Sequence, residues 1–328
     1  MADKSKIEWT DATWNPVTGC TKVSAGCKFC YAERDFPRPY PSRAFSDVQT
    51  HPERLLQPLR WRRPRRIFVD SMSDLFHDAV PPQFLDQCFA VMALAHRHTF
   101  QILTKRPKRM RNYFDLSYVT DLDLASISAE ARIAHCAEGM GYVARIKGKT
   151  KGPLQKFPFQ NVWLGVSVED QQTADERIPL LLQTPAAIRF VSYEPALGPL
   201  SFVSDVFKGR LRTGIHQARV DWVIAGGESG PNARPSHPDW FRSVRDQCQS
   251  AGVPFFFKQW GEWGPDPNNP DLLEPATEEG RTIRTVYFQQ PPTPGNLVGE
   301  VIASFRFGRK RAGRLLDGRE WNEFPGPK

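Results

Sequence analysis

The chain has 328 residues, 40% of them apolar, and a net charge of +8. This length permits one large domain or two ordinary ones, with a substantial core. No run of about 18 apolar residues predicts a membrane span, and the polar start MADKSKIEWTD lacks the apolar stretch of a signal peptide. We therefore expect a cytoplasmic protein whose excess positive charge favours an anionic partner such as nucleic acid.

Three of the six cysteines lie close together near the start of the chain, as Cys20, Cys27 and Cys30 in the spacing C-x6-C-x2-C. Clustered cysteines in a reducing compartment indicate metal or redox chemistry. Three thiolates can hold three irons of a [4Fe–4S] cluster and leave the fourth iron open to a ligand. Gly19 and Gly26 let such a loop turn tightly. We therefore expect an iron–sulfur cluster in this loop.

A zinc site is the alternative interpretation of the same cysteines. The C-x2-C spacing is common in zinc sites, where a distant cysteine or histidine completes the tetrahedron. His77, or the pair His135 and Cys136, is a candidate for that ligand.

Short apolar segments rich in β-branched and aromatic residues recur along the chain and predict strands of a buried parallel sheet. They span residues 66–69, 100–103, 162–168, 188–191, 222–225 and 253–257, with a seventh strand expected near residues 7–10 or within the cysteine loop. Helical patterns cover residues 82–96, 171–182 and 238–251. This alternation predicts an α/β fold, a partial or complete parallel (β/α) barrel.

Two stretches interrupt the alternation. Residues 115–160 form a long insertion whose second half is basic and glycine-rich, and we interpret it as a mobile substrate loop. Residues 261–328 follow the last predicted strand. We expect a barrel over residues 1–260, carrying the insertion at about 115–160, and a C-terminal extension over 261–328 that packs on it.

Polar side chains follow most of the predicted strands, at the edge where functional groups of parallel barrels lie. Those with candidate roles are Ser71, Ser73, Asp74, Lys105, Arg106, Ser167, Glu169, Tyr193, Glu194, Glu228 and Lys258. Lys105 and Arg106 are suited to neutralise an anion. Tyr193, as a hydrogen relay, and Lys258 are candidate catalytic residues. For the carboxylates, the alternatives are helix caps or structural ion pairs.

Arginine-rich segments predict contacts with nucleic acid, because arginine binds phosphate and stacks on bases. The candidate contacts are Arg62, Arg63, Arg65, Arg106, Arg109 and Arg234. The alternative is a solvated basic surface.

Several of these features resemble radical S-adenosylmethionine (radical SAM) enzymes: the cysteine loop, Phe29 just before the last cysteine, and the strand order. More closely, residues 14–20, 27–32, 103–107, 162–168, 192–195 and 226–230 resemble an uncharacterised phage- and prophage-associated family of radical-SAM-like proteins. Two departures are the six-residue first gap, where three is usual, and a Gly-Gly-Glu at residues 226–228, on a later strand than usual.

The resemblance implies that the open iron binds the methionine part of S-adenosyl-L-methionine. The reduced cluster would then split the S–C5′ bond and give a 5′-deoxyadenosyl radical, with a reductase as electron donor. Phe29 would line the adenine, and Ser71, Ser73 or Asp74 would receive the amino group. The implied cofactor site is completed by Lys105, Ser167, Glu169 and Glu194.

Three functions follow from these features. The first is a radical SAM enzyme acting on nucleic acid, in lesion repair or base modification. The second is a zinc-stabilised, non-catalytic nucleic-acid-binding protein. The third is a radical SAM enzyme for a peptide or small metabolite.

Overall fold

Seven parallel strands form one sheet, in which each strand pairs with the next one along the chain. The computed structural model describes residues 5–115, 128–145, 157–209, 218–265, 277–278, 281–289 and 301–326. The sheet strands, in spatial order, are β1 (Ala12–Trp14), β4 (Arg66–Val69), β5 (Thr99–Thr104), β6 (Val162–Val168), β7 (Ile188–Tyr193), β8 (Trp222–Gly226) and β9 (Phe255–Gln259). The predicted α/β class with a partial parallel barrel is confirmed at this level.

Short antiparallel pairs lie outside this sheet. They are β2 (Val17–Thr18) with β3 (Gln49–Thr50), β10 (Thr277–Glu278) with β11 (Arg281–Thr282), and β12 (Thr285–Gln289) with β13 (Val301–Phe305). The first pair carries the chain from β1 into the cysteine loop, which we define as residues 19–30.

The helices lie mainly between the strands of the sheet. They are α1 (Tyr31–Asp35), α2 (Gln57–Arg60), α3 (Pro82–Leu94), α4 (Pro107–Phe114), α5 (Ala129–Arg145), α6 (Gln171–Leu182), α7 (Ser204–Lys208), α8 (Pro238–Ala251) and α9 (Arg309–Ala312), with single 3₁₀ turns at Ala25–Cys27 and Pro52–Arg54. Among the described residues, no helix is long and apolar enough to cross a membrane.

Local sequence signals explain why the helix predictions at 171–182 and 238–251 hold residue for residue. Asp170 caps α6 in a reciprocal capping box with Thr173. Pro238 begins α8, and Gly252 ends it in the left-handed conformation. The predicted insertion contains α5, which the sequence analysis missed, while the glycine-rich segment interpreted as a mobile loop lies outside the described residues.

The first strand of the sheet begins later in the chain than residues 7–10, where the sequence predicts it. Residues 7–10 form a turn, closed by the Thr10 N–H donating to the Ile7 carbonyl at 3.2 Å, and the strand follows at β1. This turn places the Trp9 ring in the interior of the curved sheet, where it is 2% exposed.

Trp9 shows how strongly the sheet curves. Its ring centroid lies 4.7 Å from that of Phe68 on β4 and 6.3 Å from that of Trp222 on β8. In a flat sheet these two strands would lie about 19 Å apart. Because one indole contacts both, the sheet is curled into a half-barrel around an aromatic interior.

The C-terminal residues cover one edge of the half-barrel. The Phe257 N–H of β9 donates to the Trp321 carbonyl at 2.9 Å, and the Glu323 N–H donates to the Phe255 carbonyl at 3.2 Å. Phe324 packs on Trp222 with a centroid distance of 5.1 Å. These residues therefore pack on the sheet, whereas the division of the chain at residue 260 stays a prediction.

Gly165 on β6 offers a test of the packing inside the curved sheet. A Cβ at this position would lie 2.5 Å from the Phe190 ring, so we expect Gly165→Ala to lower the free energy of unfolding by about 1–3 kcal/mol. The control is Gly139→Ala in α5, where a Cβ meets no atom within 4 Å and alanine is expected to be neutral or stabilising. Urea unfolding measures both, and equal effects would contradict the described interior.

Candidate functional site

The cysteine loop lies over the carboxyl ends of the first strands and encloses a cavity of about 140 Å³. All three clustered cysteines line this cavity. The predicted residues that line it with them are Ser71, Ser73, Asp74, Lys105, Arg106 and Ser167. Among the described residues, it is this carboxyl edge that brings together the cysteines and the strand-end polar groups.

Gly19 fixes the entry of the chain into the loop. Its φ is +90°, and a Cβ would lie 2.5 Å from the Asp47 carbonyl oxygen. The Gly19 N–H donates to Met72 at 3.1 Å, and the Cys20 N–H donates to Phe45 at 2.8 Å. Because only glycine tolerates this conformation and this approach, the position of Cys20 is set by backbone contacts.

The Glu169 carboxylate supports the middle of the loop from below. It is 0% exposed, accepts from the Ser24 hydroxyl at 2.9 Å and pairs with Arg177 at 3.2 Å. A Cβ at Gly26 would lie 2.4 Å from its Oε1 atom. Glu169 was predicted to bind cofactor; the structure instead places it under the loop backbone, where it positions the segment that carries Cys27.

Arg234 holds the outer side of the loop. It forms a two-pronged ion pair with Glu228, at 2.8 Å and 2.5 Å, and its Nη2 donates to the Ala25 carbonyl at 3.0 Å. The guanidinium also lies 5.3 Å from the centroid of Phe29. Arg234 is therefore a loop clamp and not the predicted nucleic-acid contact. Phe29 packs on this clamp and is absent from the residues that line the cavity.

Arg106 and Asp74 form a buried ion pair beside Cys20. Arg106 Nη1 lies 3.1 Å from Asp74 Oδ2 and 3.5 Å from the Cys20 sulfur. Asp74 also accepts from the Thr104 hydroxyl and from the backbone N–H groups of Phe76 and Lys105. These four bonds fill the accepting positions of a carboxylate, so Asp74 is not free to receive the ligand amino group that was predicted there.

The environment of Cys20 favours the protonated thiol in the metal-free protein. Burial raises the pKa of Cys20 to about 11, and the Asp74 carboxylate adds to the rise, while the Arg106 guanidinium opposes it. Because a metal ligates the thiolate, metal binding at this site would release a proton.

The proposed fourth zinc ligands lie outside this group. His77 Nδ1 accepts from the Ala79 N–H at 3.1 Å, and its Nε2 donates to the Thr21 hydroxyl at 2.8 Å, so both ring nitrogens are engaged. Cys136 on α5 packs against the helix-side core near Asp86. Within the described ranges, no group of three or more His, Cys, Asp or Glu side chains is placed to hold a single metal ion.

Two polar contacts lie at the carboxyl ends of β6 and β7, the first of them in the wall of the cavity. The Lys105 ammonium donates to the Ser167 hydroxyl at 2.7 Å and lies 3.6 Å from Glu169. Lys258 pairs with Glu194 at 2.6 Å. Lys258, which the sequence predicts to be catalytic, is thus paired with the carboxylate of Glu194.

Tyr193 is a core residue and not the catalytic residue that the sequence predicted. It is fully buried, its hydroxyl donates to the Gly198 carbonyl, and its ring packs 6.1 Å from Phe241 on the helix side of the sheet. Burial raises the pKa of this phenol. Its hydroxyl therefore does not face the cavity.

The remaining arginines predicted to bind nucleic acid are not at this site. Arg109 is buried and donates to the carbonyls of His77 and Val80, which makes it structural. Arg62, Arg63 and Arg65 precede β4 and so lie at the opposite edge of the sheet. Arg106 is committed to Asp74, as described above.

Asp70 is a cavity residue that the sequence analysis missed. It directly follows β4 with a φ of +60°, is 3% exposed, and its Oδ1 accepts from the Val17 N–H at 3.0 Å. Its Oδ2 has no hydrogen-bond partner among the described residues. Burial raises the pKa of this carboxyl well above its usual value. An acidic residue immediately after a buried strand was the signal in the sequence.

The family of the chain is shown by comparison with family models. The model described as a protein of unknown function (DUF5131) matches residues 4–325, so the chain belongs to this family. Comparison with curated proteins finds no match, and comparison with solved structures finds none either. The expected membership of the radical SAM superfamily, and of a phage-associated branch of it, is wrong, because the matching model is that of an uncharacterised family and nothing in it points to radical SAM.

The buried pair of Arg106 and Asp74 gives a test of the site. Arg106→Met would leave the Asp74 carboxylate buried without its counter-charge, so we expect a loss of about 3–5 kcal/mol in the free energy of unfolding. The matched control, Arg62→Met at an exposed arginine, should change stability by less than about 0.5 kcal/mol. Urea unfolding of the metal-free protein measures both. A small loss in Arg106→Met would contradict the ion pair.

Proposed function

We propose that Cys20, Cys27 and Cys30 hold a [4Fe–4S] cluster, and that the protein is an enzyme that binds and reductively cleaves S-adenosyl-L-methionine. The observation that carries this proposal is one cavity lined by three cysteines and by Asp70, a buried aspartate whose Oδ2 has no hydrogen-bond partner among the described residues. The bound cluster would supply one electron to the S–C5′ bond and so generate a 5′-deoxyadenosyl radical.

The donor set fits such a cluster better than it fits zinc. A structural zinc ion needs four protein donors, and of the three candidates for the fourth, both ring nitrogens of His77 are hydrogen-bonded and Cys136 packs against the core. A cluster with one open iron needs only three thiolates.

The residues around the cavity are suited to hold the zwitterionic end of the cofactor. Asp70 lines the cavity and is the candidate partner of the ammonium group, and an approaching cation favours the ionised form of this carboxyl. Lys105 contributes a positive charge on the neighbouring strand end. Ser71 and Ser73 line the same wall, with their hydroxyls donating to Asn15 and Val17.

Arg106 has a separate role toward the cluster. Its N–H points at the Cys20 sulfur at 3.5 Å, and hydrogen bonds to ligating sulfurs help to set a cluster's reduction potential. The proposed chemistry requires a one-electron donor, a reductase in the simplest case. Arg62, Arg63 and Arg65 lie at the other edge of the sheet. They therefore give no evidence for a nucleic-acid substrate bound at the cysteines.

Substitution of the cysteines tests the cluster. We expect Cys20→Ala, Cys27→Ala and Cys30→Ala each to lose most of the bound iron and all S-adenosyl-L-methionine cleavage, because each removes one of only three ligands. Cys136→Ala, in a half-buried cysteine outside the cavity, is the matched control and should retain both. Iron and sulfide are counted after anaerobic reconstitution. Stoichiometric zinc with no iron would contradict the proposal.

Substitution of Asp70 tests the placement of the cofactor. Asp70→Asn keeps the acceptor for the Val17 N–H but removes the carboxylate, so we expect the KM for S-adenosyl-L-methionine to rise about tenfold or more at unchanged iron content. Asp86→Asn is the control, since Asp86 is also a buried aspartate with a burial-raised pKa but lies on α3, where it accepts from Arg132 of α5. An unchanged KM in Asp70→Asn would refute this assignment.

A further inference from the structure

A second cavity, of about 370 Å³, lies at the amino edge of the sheet, where β5, β6 and β7 begin. We propose that this edge binds single-stranded nucleic acid, with an amino-bearing base in the cavity and its backbone along the neighbouring arginines. The volume falls within the range of sites that bind small ligands.

The amino-edge cavity is distinct from the cysteine cavity. Thr99, the first residue of β5, lines the former, whereas Lys105, just after the end of β5, lines the latter. Six residues of strand separate them by about 20 Å. No residue lines both cavities, so the two cavities are separate sites.

Two residues that line this cavity each carry a buried side-chain atom without a hydrogen-bond partner among the described residues. Asn161 is 7% exposed; its amide nitrogen donates to the Met92 carbonyl at 2.9 Å, and its Oδ1 has no partner among the described residues. His98 is 1% exposed; its Nε2 lies 3.0 Å from the Pro58 carbonyl, and its Nδ1 has no hydrogen-bond partner among the described residues. Both residues line the cavity.

Orphaned buried acceptors indicate a ligand that brings hydrogen-bond donors, because an unsatisfied buried polar group is costly. The exocyclic amino group of adenine, cytosine or guanine supplies such a donor on a flat, largely apolar ring. Trp163, half-buried at the rim of the cavity, offers an aromatic surface for that ring.

The charge around the cavity matches a phosphate backbone. The residues that line it include Arg97 and His96 but no acidic side chain. Arg97 donates to the carbonyls of Leu59 and Trp61, at 2.8 Å each, which joins the cavity to the neighbouring arginine-rich segment.

That segment is strongly basic. Residues 54–69 contain six arginines and no acidic residue, and Arg60, Arg62 and Arg63 are exposed. Arg65 stacks over the half-buried Trp61 ring at 5.0 Å. Nearby, Asp11 pairs with Arg66 at 3.4 Å and so neutralises one of these charges. Exposed arginines beside Trp61 suit the phosphates and bases of a single strand better than they suit an acidic protein surface.

The experiment measures binding of labelled single-stranded DNA to the full chain by fluorescence anisotropy over a range of salt concentrations. For Arg62→Glu/Arg63→Glu we expect about tenfold weaker binding, and a salt slope reduced by about 1.4 because about 0.7 is lost per phosphate contact. The matched control is Lys208→Glu/Lys310→Glu, the same charge change at two exposed lysines elsewhere, which should bind like the wild type. Unchanged binding in the arginine variant overturns the proposal.

The base is tested with homopolymers. Oligo(dA) should bind several-fold more tightly than oligo(dT), which lacks an exocyclic amino group, and Asn161→Ala should abolish the difference. Equal binding of the two by the wild type would overturn the base assignment. If AMP binds as tightly as oligo(dA), the ligand is a free nucleotide. If polyglutamate competes as well as DNA does, the partner is an acidic protein. Either result overturns the proposal of single-stranded nucleic acid. The Cys20→Ala variant should bind DNA as tightly as the wild type. A failure of the cluster proposal is thereby distinguished from a failure of the nucleic-acid proposal.

Discussion

The buried carboxylate of Glu169 is the contact on which the arrangement of the cysteines depends. It receives the Ser24 hydroxyl and the Arg177 guanidinium, and it fills the space that a side chain at Gly26 would need. A loop with no regular structure beyond one 3₁₀ turn is thereby fixed to the end of β6. Arg106 holds the same loop at its start, and Arg234 holds it on its outer side. The three cysteines are therefore positioned by residues that follow three different strands.

Much of the fold could be predicted because its signals are local. The strands at 66–69 and 162–168 and the helices at 171–182 and 238–251 each carry their apolar pattern and end signals within a few residues. The buried position of Trp9 could not be predicted in this way, because it depends on the curvature of the whole sheet. An apolar residue before β1 looks the same in sequence whether it lies in a strand or turns inward.

The site was predictable only in part, for a related reason. The strand order brings polar residues to one edge, but the partners of each decide its role. Asp74 and Asp70 lie four residues apart in the same stretch; the first is saturated by four donors, while the second keeps a free oxygen. Likewise Arg109 binds carbonyls and Arg62 faces solvent. Residue type alone does not separate these cases, because the difference lies in contacts made across the fold.

Residues 321–323 pair with β9, an outer strand of a barrel that does not close. A complete barrel has no free strand edges, whereas a half-barrel has two, and an uncovered edge is a template for pairing with another chain. Trp321 and Glu323 occupy the backbone groups of β9 that would otherwise be exposed there. Residues 321–323 therefore cover the β9 side of the half-barrel, the side on which a bare strand would be open to pairing with a second copy of the chain.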